Sequence, residues 1–273
     1  MEKKYYFLAG LPRSGNTALS SILNQNPEIY CSLLSPVPDF LFYYEQVLQF
    51  ADNAKRNPND RMVNVGQNII KNYYSNVDKK IIFDREKAWA TPINFSLIKK
   101  YVDKNPKIIF TIRPILEILT SFINLFDEES YRESYIDIEM KKNNWWNKEY
   151  LTKNDNRCDY LMRPGGQIDK SLYCLNEVLN LNNKNNFYIM EYDKLVDHPQ
   201  ETMNEIYNFL EISNYRHDFN NIIKKEESLF IDPVFPKNLH TVRKKINKIS
   251  KKPEQVLSEY IINKYSNMGW GKI

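Results

Sequence analysis

A short apolar run that breaks into two glycines five residues apart, and then into a helix, constrains this chain more than any other feature. The run is Tyr5-Tyr6-Phe7-Leu8-Ala9 and the break is Gly10-Leu11-Pro12-Arg13-Ser14-Gly15-Asn16-Thr17. Tyr5 to Ala9 reads as a buried strand, and residues 16–25 set Ala18, Leu19, Ile22 and Leu23 on one helical face. A strand feeding a helix through a glycine loop turns the first N–H groups and the positive end of the helix dipole toward one point, where an anion binds. Gly10 and Gly15 have the G-x-x-x-x-G spacing of a nucleoside-triphosphate loop, but the lysine that would follow is Asn16. That lysine normally reaches the β- and γ-phosphates, so an ordinary ATPase or kinase is disfavoured. A cation is still present as Arg13, inside the loop. The loop is therefore built for one phosphate with a neighbouring anionic group.

The rest of the chain repeats the strand-to-helix pattern. Lys80-Ile81-Ile82-Phe83, Lys107 to Ile112 and Phe187-Tyr188-Ile189-Met190 read as strands. Helices are expected over Ile93 to Val102, from Pro114 as a first helical residue to about Phe126, and from about Gln200 to Leu210. Continuous apolar runs in place of alternation indicate strands buried on both faces. The expected fold class is α/β, a phosphate-loop-type parallel sheet with helices on both faces. Residues 127–165 and 212–255 lack strand signals and read as helices and loops over the sheet's edge. The 273 residues suffice for a full core, and with no repeat and no Gly-, Ser- or Pro-rich linker they read as one domain, 1–273.

Charge narrows the partners. Lys and Arg number 38 against 34 Asp and Glu, a net +4 that suits an anionic ligand but is too small and dispersed for nucleic acid. The densest basic run, Arg243-Lys244-Lys245, reads as solvated surface. Three cysteines, Cys31, Cys158 and Cys174, form no C-x-x-C pair, so neither a disulfide framework nor a zinc site is expected. The apolar stretch at Tyr5 is too short for a signal peptide, and no segment has the ~18 apolar residues of a membrane span. A cytoplasmic protein with no membrane partner is the expectation.

Leu11-Pro12-Arg13-Ser14-Gly15-Asn16-Thr17 resembles the 5′-phosphosulfate loop of sulfotransferases that use 3′-phosphoadenosine 5′-phosphosulfate (PAPS) and release adenosine 3′,5′-bisphosphate (PAP). Leu23 to Ile29 resembles the stretch that follows it in the bacterial and protein-tyrosine branches. The resemblance implies a second anion site for the 3′-phosphate, held by an arginine at a strand end and a serine eight positions on. Arg113 and Ser121 match that spacing. Met190 to Pro199 resembles the family's strand-end segment whose tyrosine lies near the nucleotide, which implies Tyr192. Leu239 to Arg243 resembles a late bacterial segment that would bring Arg243 over the 3′-phosphate.

Sulfuryl transfer needs an attacking hydroxyl, a base for its proton and cations over the leaving phosphate, in a logic close to phosphoryl transfer. Arg13 is the first cation. The strand end Phe83-Asp84-Arg85-Glu86-Lys87 faces the same crevice. There the family carries a catalytic His or Lys; here Asp84 is the best base and Lys87 the best second cation. This strand end has no His, and the position of the protein-tyrosine branch's catalytic Glu is Leu34. Glu86, Asp39 and His240 therefore stay open as bases. Arg and Lys supply the charge neutralisation, so no metal is expected. The acceptor is a small-molecule, saccharide or peptide hydroxyl; the oligomeric state stays open. A nucleotide kinase would want the missing loop lysine. A non-catalytic nucleotide-binding protein would keep the loop and dispense with Lys87 and Asp84.

Overall fold

The computed structural model describes residues 2–128, 133–145, 152–181, 183–223, 243–246 and 251–270. Five strands, β1 (Lys4–Gly10), β2 (Ile29–Cys31), β3 (Ile81–Arg85), β4 (Ile108–Ile112) and β5 (Phe187–Glu191), form one sheet in the order β2-β3-β1-β4-β5. Every pairing is parallel. Four of these strands coincide with the apolar runs. The three-residue β2 is too short for periodicity to reveal. It is held by register, Ile29 opposite Ile81, and by Asn24, whose amide takes both backbone groups of Cys31 at 2.8 Å.

The helices are α1 (Asn16–Leu23), α2 (Val37–Phe50), α3 (Asp52–Arg56), α4 (Asp60–Tyr73), α5 (Pro92–Tyr101), α6 (Ile115–Glu128), α7 (Tyr135–Lys142), α8 (Lys153–Met162), α9 (Gln167–Leu179), α10 (Tyr192–Asp197), α11 (Pro199–Leu210) and α12 (Glu259–Tyr265). Local chemistry sets their starts. Thr91 caps α5 ahead of Pro92, and Ser134–Asp137 and Thr152–Asp155 form reciprocal capping boxes on α7 and α8.

Strand alternation sorts the apolar side chains into two cores. Phe7, Ala9, Ile82, Ile108, Phe110 and Ile112 face the larger one with α2, α4, α5, α6, α8 and α9. Tyr6, Leu8, Ile81, Phe83 and Ile109 face the smaller one with α1 and α11. Helices thus cover both faces, in the expected α/β class. The chain leaves β1 toward β3 and β2 on one side, while β4 pairs on the other. This change of direction opens a crevice over the carboxyl ends of the strands, at the end of β1.

Candidate active site

The connection from β1 to α1 lies at that crevice. Gly10 has φ 137°, Arg13 φ 59° and Gly15 φ 92°, so three residues in six stand in the left-handed half of backbone space. A Cβ on Gly10 would come within 2.2 Å of the Thr111 carbonyl oxygen, and one on Gly15 within 2.6 Å of the Tyr192 ring. A non-glycine residue at positive φ costs free energy that the surroundings must hold, and such residues gather at functional sites. Ser14 is buried and binds the loop from within. Its hydroxyl hydrogen-bonds the Thr111 carbonyl at 3.0 Å and lies 2.6 Å from the Thr111 hydroxyl. Asn16, at the lysine position, donates its amide to the Leu11 carbonyl at 3.0 Å and so braces the loop. Helix α1, with Gly15 as its N-cap, has no side-chain cap and no acid in its first turn, whereas α7 and α8 have both and α5 has the Thr91 cap. Its first N–H groups are left to an anion.

Arg113, one residue past β4, connects this loop to the next helix. Its guanidinium donates to the Arg13 carbonyl at 3.3 Å and to the Glu117 carboxylate at 3.0 Å, and stacks 4.5 Å from the centre of the Tyr192 ring. Arg13 in turn donates Nε to the Ser121 hydroxyl at 3.0 Å. Arg13, Ser14, Gly15, Asn16, Thr17, Arg113, Ser121 and Tyr192 therefore form one connected cluster. Tyr192 is the first residue of α10, directly after β5, so three neighbouring crevice-edge connections, after β1, β4 and β5, meet at it and the loop.

The end of β3 differs from the expectation. Asp84 shares a sheet face with Ile82, and its carboxylate is buried in the larger core. It accepts hydrogen bonds from Ser35 at 2.6 Å, Tyr74 at 2.8 Å and Trp89 at 2.8 Å. Burial pushes its carboxyl up to about 6 against the pull of the Ser35, Trp89 and Tyr74 hydrogen bonds. A side chain so enclosed braces the core and does not meet an acceptor, which removes the geometric basis for Asp84 as base. The reason is the two-residue period, which sends the last strand residues alternately to opposite faces.

Arg85, which sequence reasoning passed over, takes the other face with Phe83. It is buried, and its guanidinium donates to the Thr17 hydroxyl at 3.1 Å and the Ser20 hydroxyl at 3.2 Å. Burial lowers its affinity for the proton. The signal was available, since Arg85 follows Ile81 and Phe83 in period two and so points to the phosphate-loop helix.

Glu86 continues the sheet by one backbone bond to the Leu8 carbonyl, at 3.1 Å, and is half-buried. Its carboxylate accepts the Lys87 backbone N–H at 3.0 Å. Burial raises its pKa and the Lys87 charge opposes that, while Asp39 pushes it further up. Lys87 is exposed at the start of a single 3-10 turn, Lys87–Ala90. Asp39 is exposed in the first turn of α2. Arg243 is exposed in a segment whose backbone pairs with residues 219–222. His240 lies outside the described residues.

The comparisons with known proteins bear on this crevice. A family model described as the sulfotransferase domain matches residues 3–228. The chain is similar to the solved sulfotransferase domain of the olefin synthase from Synechococcus PCC 7002, at 12% identity and a TM-score of 0.50, over 99% of this chain and 90% of that one. It is also similar to a sulfotransferase from Alicyclobacillus acidocaldarius, at 13% identity and a TM-score of 0.49, over 82% of this chain and 87% of that one. No curated protein matches it in sequence. Since the family match covers most of the chain, including the loop at the end of β1 and the strand ends around it, the chain belongs to the sulfotransferase domain family.

Proposed function

We propose that the chain transfers a sulfuryl group from PAPS to an acceptor hydroxyl and releases PAP. The observation that carries this reading is the pairing of two cation-bearing sites on one loop. One is the uncapped start of α1 beside Arg85. The other is Arg113, stacked on Tyr192 and joined through Arg13 to Ser121. A ligand with a 5′-phosphosulfate and a 3′-phosphate has two such anionic ends, and Gly10 and Gly15, packed against Thr111 and Tyr192, fix the loop backbone that would meet the first. ATP carries its charge in a single chain of phosphates, and Asn16 offers it no ammonium.

When bound, the donor supplies an activated sulfuryl group. Arg13 and Arg85 neutralise charge on its 5′-side, Thr17 and the first α1 N–H groups orient it, and Arg113 and Ser121 hold its 3′-phosphate. Glu86 is the base, because it is the carboxylate at the β3 end that is raised in pKa and still half-exposed, as a base working near neutral pH requires. Lys87 sits at the rim beside it. Thermal denaturation with nucleotides tests the reading. PAP should raise the melting temperature much more than ATP or AMP at equal concentration, because binding to the native state stabilises it by mass action. Equal shifts with PAP and ATP would rule it out.

A further inference from the structure

Next to Glu86 the surface changes character. The connection from β2 to α2 is fastened to the last residues of β3: the Ser32 N–H donates to the Phe83 carbonyl at 3.0 Å, the Arg85 N–H to the Ser32 hydroxyl at 2.9 Å, and the Ser35 hydroxyl to Asp84 at 2.6 Å. This connection therefore packs along the residues that lead into Glu86. Leu34 is there, 37% exposed, followed in α2 by Phe40 at 49% and Tyr43 at 65%. Phe40 and Tyr43 are one helical turn apart and share a face, which Val47 continues, also exposed. The Phe40 ring meets Tyr73 edge-on, with centroids 6.4 Å apart, so α4 widens the strip. An apolar band thus begins at the end of β3 and runs down the outer side of α2.

Its charges are as informative. The ionisable side chains at its upper end are Asp39, Glu86 and Lys87, and the two carboxylates act on each other through space. Arg13 and Arg85, which would attract an anionic acceptor, are turned to Ser121 and to Thr17. A uronate-rich saccharide or an acidic peptide meets two carboxylates at the rim. A neutral sugar would strip water from Leu34 and Phe40 without burying apolar surface of its own.

We infer that the acceptor is an uncharged aryl or alkyl alcohol, whose hydroxyl lies at Glu86 and whose apolar body lies on Leu34, Phe40 and Tyr43. The inference rests on the sulfotransferase reading and names the substrate class of the same site. The test is PAPS turnover by the full chain with 2-naphthol, 1-decanol, methyl glucoside and a uronate-containing oligosaccharide, each alongside PAP-induced thermal stabilisation. The naphthol and the decanol should be sulfated with kcat/KM at least about tenfold above both saccharides, as burial of one apolar side chain's worth of surface allows. Leu34→Ser with Phe40→Ser should raise KM for 2-naphthol by about tenfold or more on the same basis, with the PAP shift unchanged. Asp39→Lys should raise kcat/KM for an anionic hydroxynaphthalenesulfonate. Saccharides that match or exceed naphthol, or a double variant with unaltered KM, overturn the inference while PAP binding keeps the donor reading in place. Absence of PAP binding overturns both.

Discussion

Arg85 carries its charge into a buried position where its side-chain donors meet hydroxyls, and no carboxylate pairs with it among the described residues. A buried guanidinium is costly unless an anion meets it, and the phosphate loop is where one would be bound. Arg85→Gln is therefore expected to lower kcat by ~10²–10³, the range for removing one preorganised donor, as read by steady-state PAPS turnover. Lys87→Ala, at the exposed rim, should lose less; the reverse order would return the second-cation role to Lys87. Arg113 makes a separable prediction. Arg113→Ala removes a charged partner of the 3′-phosphate and should weaken PAP by ~1.5–3 kcal/mol in calorimetric titration. Adenosine 5′-phosphosulfate lacks that phosphate and should be much less affected. Equal losses for both nucleotides would make Arg113 a strut between Glu117 and the loop.

At the scale of elements, the join between β1 and α1 works because two other connections close on it. The β4 end contributes Thr111, against which Gly10 is packed, and the β5–α10 junction contributes Tyr192, against which Gly15 is packed. Gly15→Ala meets both a positive φ and the Tyr192 ring, and should destabilise the fold by ~1–3 kcal/mol in urea titration. Tyr192→Ala in the same chain clears the collision but leaves the backbone strain. The double variant should therefore be less destabilised than the two single losses summed. Strict additivity would mean that ring and loop are not in contact. Gly10→Ala has no such rescue, because its neighbour is backbone; little soluble protein is expected from it.

For the whole molecule, the two cores oppose each other in their response to pH. Asp84 braces the larger core with its carboxyl pushed up to about 6 by burial. His217, stacked on Tyr207 and hydrogen-bonded to its hydroxyl at 2.9 Å, is held down to about 4 by burial where the chain after α11 packs on the smaller core. A raised carboxyl contributes stability below its unfolded pKa near 4 that is lost as pH rises through about 6. A depressed imidazole contributes stability above its unfolded pKa near 6.5 that is lost as pH falls through about 4. At about 1.4 kcal/mol per unit, each is on the order of 3 kcal/mol. Wild-type unfolding free energy should thus vary little between pH 4 and 6.5. Asp84→Asn should expose a rise with pH across that window, and His217→Gln a fall. Asn suits the site because its oxygen can still accept from Trp89 while the Ser35 and Tyr74 hydroxyls turn to accept from its amide. A flat profile in both variants would show that neither group titrates as its burial implies.

Short apolar runs and a glycine pair at a fixed spacing are local facts, and they sufficed for four of the strands, the α/β class, and a loop with Arg13 inside it. Arg113 and Ser121 came from the resemblance to the sulfotransferases, whose spacing they match, although a strand end and the second turn of the helix after it are near each other in any such unit. What the sequence alone determined stops where distance along the chain stops being a guide. Edge strand β2 depends on Asn24 and on the β3 register. Which strand-end residue faces the phosphate loop was decided by the side of the sheet to which α1 packs. That choice turned Asp84 into a core brace, brought Arg85 to Thr17 and left Glu86 at the rim. The same packing fastened Ser32 and Ser35, in the connection that leads to α2, to Phe83, Asp84 and Arg85 although about fifty residues separate them in sequence. A side chain's face follows from strand period, but its neighbours follow from which helix covers that face, and only the folded chain decides that.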